Sequence, residues 1–544
     1  MGLQYKPLYP WAGGLNTSVD PIILDPQNLV TADNIIFTTS ASRRKRGGQA
    51  RYNTAAIAFS TVTNGVVYMA DYWSMVSNVK RERVMVVTDG GKVGFNNPAG
   101  TSFTQLVSTT TLTVTHGGVT SAVLNNNWVL GLKDTNAVPR VWVGQNTAVN
   151  LVAMVPSGTT VLPFSRAWII SSFVERGFYA GNPALPDRLY VSDVGTYNKF
   201  TSGIVAGNSI TLDVGIGDGD PEGITAVFPG TGGNRVLYVA KRRHLYVINC
   251  AAADQTTWTT TLISRQIGVI NPNAVVTLDE TDVIFMSDRG MHSLSQVMAT
   301  TAIIPGEFLS FPIQYDYNSI VNSANRSQIS LTYVPSLNSV LFSCKRVGSD
   351  TYETIYGFNI ILRQWFRWIS TPCNFLLTRF NRTLGTDELY AGAPSGYMNK
   401  LNQEVLADFG AAITTTIKSS FIFPDGIPLK EYAFTRLIFV FRARDNSTFS
   451  VQYTIDGVSN DSFTVQQRSA GGNVLGTTLL GSAFILGNIQ GVKPYFQHIA
   501  GVGSSIQLTI THNTVNKDFE MFGVVLEYED SGDRQNPYNA AAYS

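Results

Sequence analysis

The sequence predicts an all-β chain, a β-propeller of about six to seven blades followed by a C-terminal β-sandwich. Three observations carry this expectation. A strand–turn–strand unit recurs seven times along the chain. Strict apolar/polar alternation takes over beyond about residue 413. No long stretch sets apolar residues at helical spacing between capping residues.

The clearest unit lies within residues 212–250, LDVGIGDGDPEGITAVFPGTGGNRVLYVAKRRHLYVINC. Its arms, RVLYVA and HLYVI, are rich in Val, Leu, Ile and Tyr, which strands prefer. The basic turn Lys241-Arg242-Arg243 joins them. Other units begin at Arg83, Asn127, Arg188, Asp282, Ser339 and Glu388, roughly 44 to 61 residues from one start to the next. That is close to the length of a propeller blade. One small twisted sheet leaves its faces open, whereas blades stacked about an axis cover them. The propeller is expected over residues 56–405.

Residues 1–55 read as an irregular docking segment. Gly13-Gly14 permits a tight turn, and Asp20-Pro21 and Asp25-Pro26 punctuate the chain. A short strand at residues 35–37 precedes the run Arg43-Arg44-Lys45-Arg46-Gly47-Gly48. Alone, the run suggests a nucleic-acid patch or a localisation signal. A solvated turn after a strand is the plainer reading. Residues 413–529 are expected to form the sandwich. FSVQYTI at 449–455 and IQLTI at 506–510 alternate strictly, and residues 432–444 and 521–528 add strands. The stretch 402–412 lacks a strong strand signal and is expected to be an exposed boundary. Residues 530–544 read as a polar tail.

Composition narrows the function classes. Apolar residues make up 44% of the 544, and charged residues only 14%, with a net charge of +1. Such a chain is neither disordered nor a general polyanion binder. Low charge fits large surfaces covered by partners, and equally a long β-protein with ordinary surface economy. Cys250, Cys344 and Cys373 show neither disulfide nor metal spacing and read as buried thiols. No secretory pattern opens the chain and no apolar run reaches the ~18 residues of a membrane helix. A soluble chain without a membrane anchor, assembled in the cytoplasm, is expected.

Chemistry-bearing motifs are sparse. Asp218, Asp220 and Glu222 alternate before Gly223, like the opening of a calcium loop. Pro229 stands where the bidentate Glu belongs, and flanking helices are missing, so a tight turn is expected. Ser192-Asp193-Val194-Gly195 and Ser287-Asp288-Arg289-Gly290 approach the Asp-Gly turn of propeller sialidases but are one residue short. Hairpin turns prefer the same residues. His116, His244, His292, His498 and His512 are scattered. Gly230-Thr231-Gly232-Gly233 precedes a hairpin, not the helix N-terminus of a phosphate loop. Trp365-Phe366-Arg367-Trp368 would anchor a blade or, less simply, stack bases or sugars. The sequence nominates no catalytic, cofactor-binding or metal residue, and the chain is expected to be neither an enzyme nor a cofactor carrier.

The opening GGLNTSVDP…NIIF…RRKRGG resembles the N-terminal signature of tail nozzle proteins of short-tailed bacteriophages, the tail tubular protein B-like family. GDGDPEGITAVFP, the hairpin at Arg235, the stretch 267–294, Gln364-Trp365…Trp368 and Leu389-Tyr390…Gly396-Tyr397 also resemble that family. The resemblance spans the chain to about residue 405. It implies a virion structural protein, a homohexameric ring distal to the portal and tail adaptor. Genomic DNA would pass through its lumen without specific binding, and tail fibres or tailspikes would dock on it. The alternative is a propeller glycan hydrolase or lyase acting on envelope polysaccharide, which needs two carboxylates flanking a bond. A third reading is a propeller interaction module without a virion role.

Overall fold

The computed structural model describes residues 3–533 except 9–10, 12, 58–64, 77–78, 97–101, 109–111, 134–137, 144–149, 159, 204, 232, 234, 280, 300–307, 322–325, 346–350, 383, 403, 427, 429, 443 and 468–491. Strands dominate it, and the two α-helices among the described residues, Leu294–Ala299 and Gln314–Val321, are short. None is long and apolar enough to cross a membrane.

Seven antiparallel units form a propeller, the first two joined by a short parallel pairing of Phe103–Ser108 with Asn150–Ala153. They occupy residues 66–108, 119–153, 169–213, 224–264, 275–293, 330–368 and 375–402, and are numbered here as blades 1 to 7. The first strands of successive blades pack side by side, and the first strand of blade 7 returns to that of blade 1. Between blades 4 and 5 the link is Thr225, whose Oγ1 donates to the Val269 carbonyl at 2.7 Å. Middle strands such as Ser339–Cys344 and Thr354–Asn359 are buried along their whole length, because neighbouring blades cover both faces.

The repeat seen in the sequence is the second and third strand of each blade, with one exception. In blade 3 the expected hairpin at Arg188 is not a hairpin. Its second strand is Arg176–Ala180, Arg188–Val191 is the third, and the fourth is Ile210–Asp213. Ser192-Asp193 imitates a hairpin turn, but the chain wanders before pairing again.

The first fifty residues are not irregular. They supply β1 (Gln4–Leu8), β2 (Leu29–Asp33), β3 (Ile35–Phe37), β4 (Arg43–Lys45) and β5 (Gly48–Arg51). β5 pairs with Met398–Asn402 and completes blade 7, so the propeller is closed by a strand from far upstream. The other four strands join the sandwich. One of its sheets runs β3, β4, Glu520–Asp533, Lys430–Arg442, Val492–Gly503, with β1 also against Glu520–Asp533. The facing sheet runs β2, Thr415–Ser419, Ile506–His512, Ser447–Ile455, Val458–Gln467. Alternation along Ser447–Ile455 sends Phe449, Val451, Tyr453 and Ile455 inward. Phe449 meets Phe439 and Phe519 edge-on, at 5.8 and 5.2 Å between ring centres. The sandwich thus draws on residues outside the expected 413–529, because strands at its margin need hydrogen-bonding partners that β1, β2 and β4 supply.

β2 also bridges to the last strand of blade 6, Gln364–Trp368, at Asp33 and Arg367, so one nine-stranded sheet runs from propeller into sandwich. The expected exposed boundary at 402–412 holds a small hairpin, Ala407–Asp408 against Ala411–Ala412. Of the expected polar tail, residues 530–533 belong to the strand Glu520–Asp533, and 534–544 lie outside the described residues.

Candidate functional site

Part of the opening segment meets the seam between propeller and sandwich. A Cβ on Gly13 would stand 2.4 Å from the Gln27 carbonyl oxygen, and one on Gly14 2.6 Å from the Trp365 nitrogen. Neither position has room for a side chain. Asn34 adopts a left-handed backbone, φ 57, which Asn tolerates. Its Nδ2 donates to the Thr414 carbonyl, and its Oδ1 accepts from Arg46 Nε and the Ile369 N–H. Arg367 holds Asp33 with two hydrogen bonds, at 2.8 and 3.1 Å.

The basic run at 43–46 is neither a solvated turn nor an exposed patch. Arg43, Lys45 and Arg46 are all buried. The Arg43 guanidinium lies over the Trp11 and Phe37 rings and donates to the Gly13 carbonyl at 3.0 Å. Burial pushes it down to about 9. Lys45 Nζ donates to the Thr514 and Lys517 carbonyls, and burial drives it to about 8, with Asp518 offsetting part of the shift. Arg44 pairs with Asp518, and Arg46 forks onto Asp408 of the small hairpin.

The second basic run closes on the Gly/Asp loop before it. Lys241 is wholly buried, with its ammonium 2.7 Å from Asp187 Oδ1 and 2.8 Å from Asp218 Oδ2. It also donates to the Gly215 carbonyl at 2.8 Å. Burial alone would raise the Asp218 carboxyl, but hydrogen bonds from Lys241 and Tyr246 outweigh it and hold the group below its ordinary value. Asp220 accepts the Arg243 backbone N–H, and Arg242 spans Glu222 and Asp288. Of the carboxylates of the calcium-like stretch, Asp218 and Glu222 are thus engaged by cations of the same chain and Asp220 by a backbone N–H.

The remaining motif residues are structural. Ser192 Oγ accepts from the Gly177 N–H, and Asp193 accepts from Thr201, stitching blade 3. Ser287 Oγ lies 2.8 Å from His292 Nε2 inside blade 5, where burial lowers the imidazole to about 3. Burial also lowers His116 and His512 to about 4. Trp365 and Trp368 are buried and donate their indole N–H groups to the Leu309 and Ile35 carbonyls, as a packing anchor does. All three cysteines are buried, and burial raises each thiol, that of Cys250 to about 12. Such thiols are poor nucleophiles.

One concave site among the described residues was not visible in the sequence. A funnel of about 660 Å³ opens on the propeller face where the first strands begin. Lys133, Arg166, Trp168, Glu222 and Arg326 are among its lining residues. They come from widely separated blades, so no local motif joins them. A structural signal exists all the same. Trp168, Glu222 and Arg326 each fall just before the first strand of a blade, where a propeller repeat aims its connecting loops.

No family model and no curated protein matches the chain. Solved structures with a similar course include the computationally designed Ika8 protein, at 14% identity and TM-score 0.35, covering 68% of this chain and 96% of that one. BBS1N in complex with ARL6DN aligns at 12% identity and TM-score 0.37, over 66% of this chain and 98% of that one. An exo-β-1,3-galactanase from Phanerochaete chrysosporium aligns at 8% identity and TM-score 0.26, over 88% and 100%. None of their activities is carried over to this chain.

Proposed function

We propose that this chain is a virion structural protein, a tail nozzle of the kind its opening segment resembles. The observation behind the proposal is where the signature falls. Gly14, Asp33, Asn34 and Arg46 join the sandwich side to blade 6 at Trp365, Arg367, Ile369 and Trp368, while Gly13 and Arg43 to Lys45 pack among the N-terminal strands and the sandwich. Such joints would keep propeller and sandwich of a ring subunit together under load. Copies of the chain would form a hexameric ring distal to the tail adaptor and carry fibres or tailspikes.

The glycan hydrolase or lyase reading has less support. Glu222 is the carboxylate at the funnel, and Arg242 and Arg326 already engage it. A hydrolase requires two carboxylates astride one bond. For DNA passing through a nozzle, weak contact is expected, since Arg43 to Arg46, Lys241 and Arg242 are committed within the fold rather than offered to phosphates.

Negative-stain imaging and sedimentation of the purified chain, alone and with a portal–adaptor assembly, test the reading. The expected result is a closed ring of about six times the 59.3 kDa chain mass. A chain that stays monomeric even in the presence of that assembly overturns it.

A further inference from the structure

The funnel has the makings of a ligand site. Three cations, Lys133, Arg166 and Arg326, face one carboxylate, Glu222. Three neutral polar side chains beside them already have partners. Asn271 Nδ2 donates to the Arg326 and Ile329 carbonyls, Asn182 Nδ2 to the Tyr190 hydroxyl, and Thr225 Oγ1 to Val269. Positive charge therefore dominates the polar chemistry that the wall can offer a guest.

The wall also contains an aromatic platform. The indole of Trp168 lies so close to Gly181 that a Cβ there would stand 2.4 Å from Cδ1 and Nε1. Gly181 also has φ +81, so side-chain-bearing residues are disfavoured on two grounds. The fold thus reserves a glycine to seat this ring. The Lys133 ammonium stands 5.3 Å from the ring centre on an exposed, flexible side chain that can swing toward an anion. Arg166 donates to the Lys133 carbonyl at 3.2 Å, and Arg326 reaches Glu222 at 3.5 Å.

From this arrangement we infer that the funnel binds an anionic saccharide. The sugar ring lies on Trp168, and its carboxylate or phosphate is held among Lys133, Arg166 and Arg326. The volume falls within the range of about 300–1,000 Å³ that small-ligand pockets occupy. Guanidinium forks suit either kind of anion. The inference is independent of ring assembly, because every residue in it belongs to one chain.

Isothermal titration of the full chain tests it with four probes: digalacturonate, glucose 1-phosphate, neutral digalactose and inorganic phosphate. At least one anionic saccharide is expected to bind tenfold or more tighter than digalactose, and tighter than inorganic phosphate. The stronger of the two identifies the anion. Lys133→Gln and Arg326→Gln should each weaken that binding about tenfold with unchanged melting temperature, and Trp168→Leu should remove the preference over inorganic phosphate. Lys133 is exposed, so its variant keeps the test valid where Trp168→Leu fails to fold. Binding by neither anionic sugar, equal binding of digalactose or inorganic phosphate, or unchanged binding in Lys133→Gln and Arg326→Gln overturns the inference.

Discussion

The two basic runs of this chain look alike in sequence and are solved differently by the fold. Lys241 is neutralised at close range by Asp187 and Asp218. Arg43, equally buried, rests on two aromatic rings and backbone carbonyl oxygens, while its neighbour Lys45 likewise donates to carbonyls. The 241 turn is an ion cluster, whereas Arg43 and Lys45 are cations held by neutral acceptors. The first depends on its partners for stability. The second carries a desolvation cost that packing and hydrogen bonds offset.

The largest effect is expected where the ion cluster is broken. Lys241→Met leaves Asp187 and Asp218 without their buried counter-charge and should destabilise the chain by about 3–5 kcal/mol. Urea melts read this directly. A loss below about 1 kcal/mol, the level of a surface pair, would mean the cluster is solvated. The same cluster sets an acid limit. The Asp218 carboxyl is held below its unfolded value, so its contribution is present above that value and lost as pH falls through the folded one.

The other run should respond in the same sense, but in the alkaline range. The Lys45 ammonium is lowered from 10.5 to about 8. Between those values the unfolded chain binds more protons than the folded one, so stability rises with pH across the window. Relative to Lys45→Met, the native chain should gain about 2 kcal/mol between pH 7.5 and 9.5. A flat difference between the two melts over that range would place Lys45 in water. Arg43→Met should be milder still. It removes a charge that has no carboxylate beside it and keeps hydrocarbon between Trp11 and Phe37, for a loss of about 1–2 kcal/mol from unpaired carbonyls. A loss as large as that of Lys241→Met would erase the distinction between the two runs.

The sequence exposed the repeat and hid the joints. Second and third blade strands announce themselves because both are short, apolar and split by Gly/Asp turns, as at Asp282–Met286 and Met291–Ser293. Outer strands such as Thr259–Ser264 are half exposed and carry no such contrast. β5 was invisible because GQAR has no strand pattern, and its partner lies some 350 residues downstream at Asn399–Asn402. The basic runs misled for a related reason. Charge in a sequence implies solvent unless its partners are known, and those of Arg46 and Lys241 lie at Asp408 and at Asp187 and Asp218. The funnel residues are likewise neighbours only once the ring is closed.

The finest distinction lies within the 241 turn itself. Lys241 acts through its side chain, whereas Arg243 is exposed and its backbone N–H is what reaches Asp220, at 2.8 Å. Truncation to Arg243→Ala keeps that N–H and should shift stability by no more than about 0.5 kcal/mol, as surface changes do. Arg243→Pro deletes the donor and leaves Asp220, itself buried, short of one acceptor contact, so it should be the worse variant by about 1–3 kcal/mol. Proline also fixes φ, and Arg243→Pro made in an Asp220→Ala background, where that N–H has no carboxylate to reach, measures the backbone effect separately. Equal losses from the proline in the two backgrounds would mean that ring strain alone is responsible. A large loss in Arg243→Ala would mean that the exposed guanidinium, and not the peptide group, holds the acidic loop.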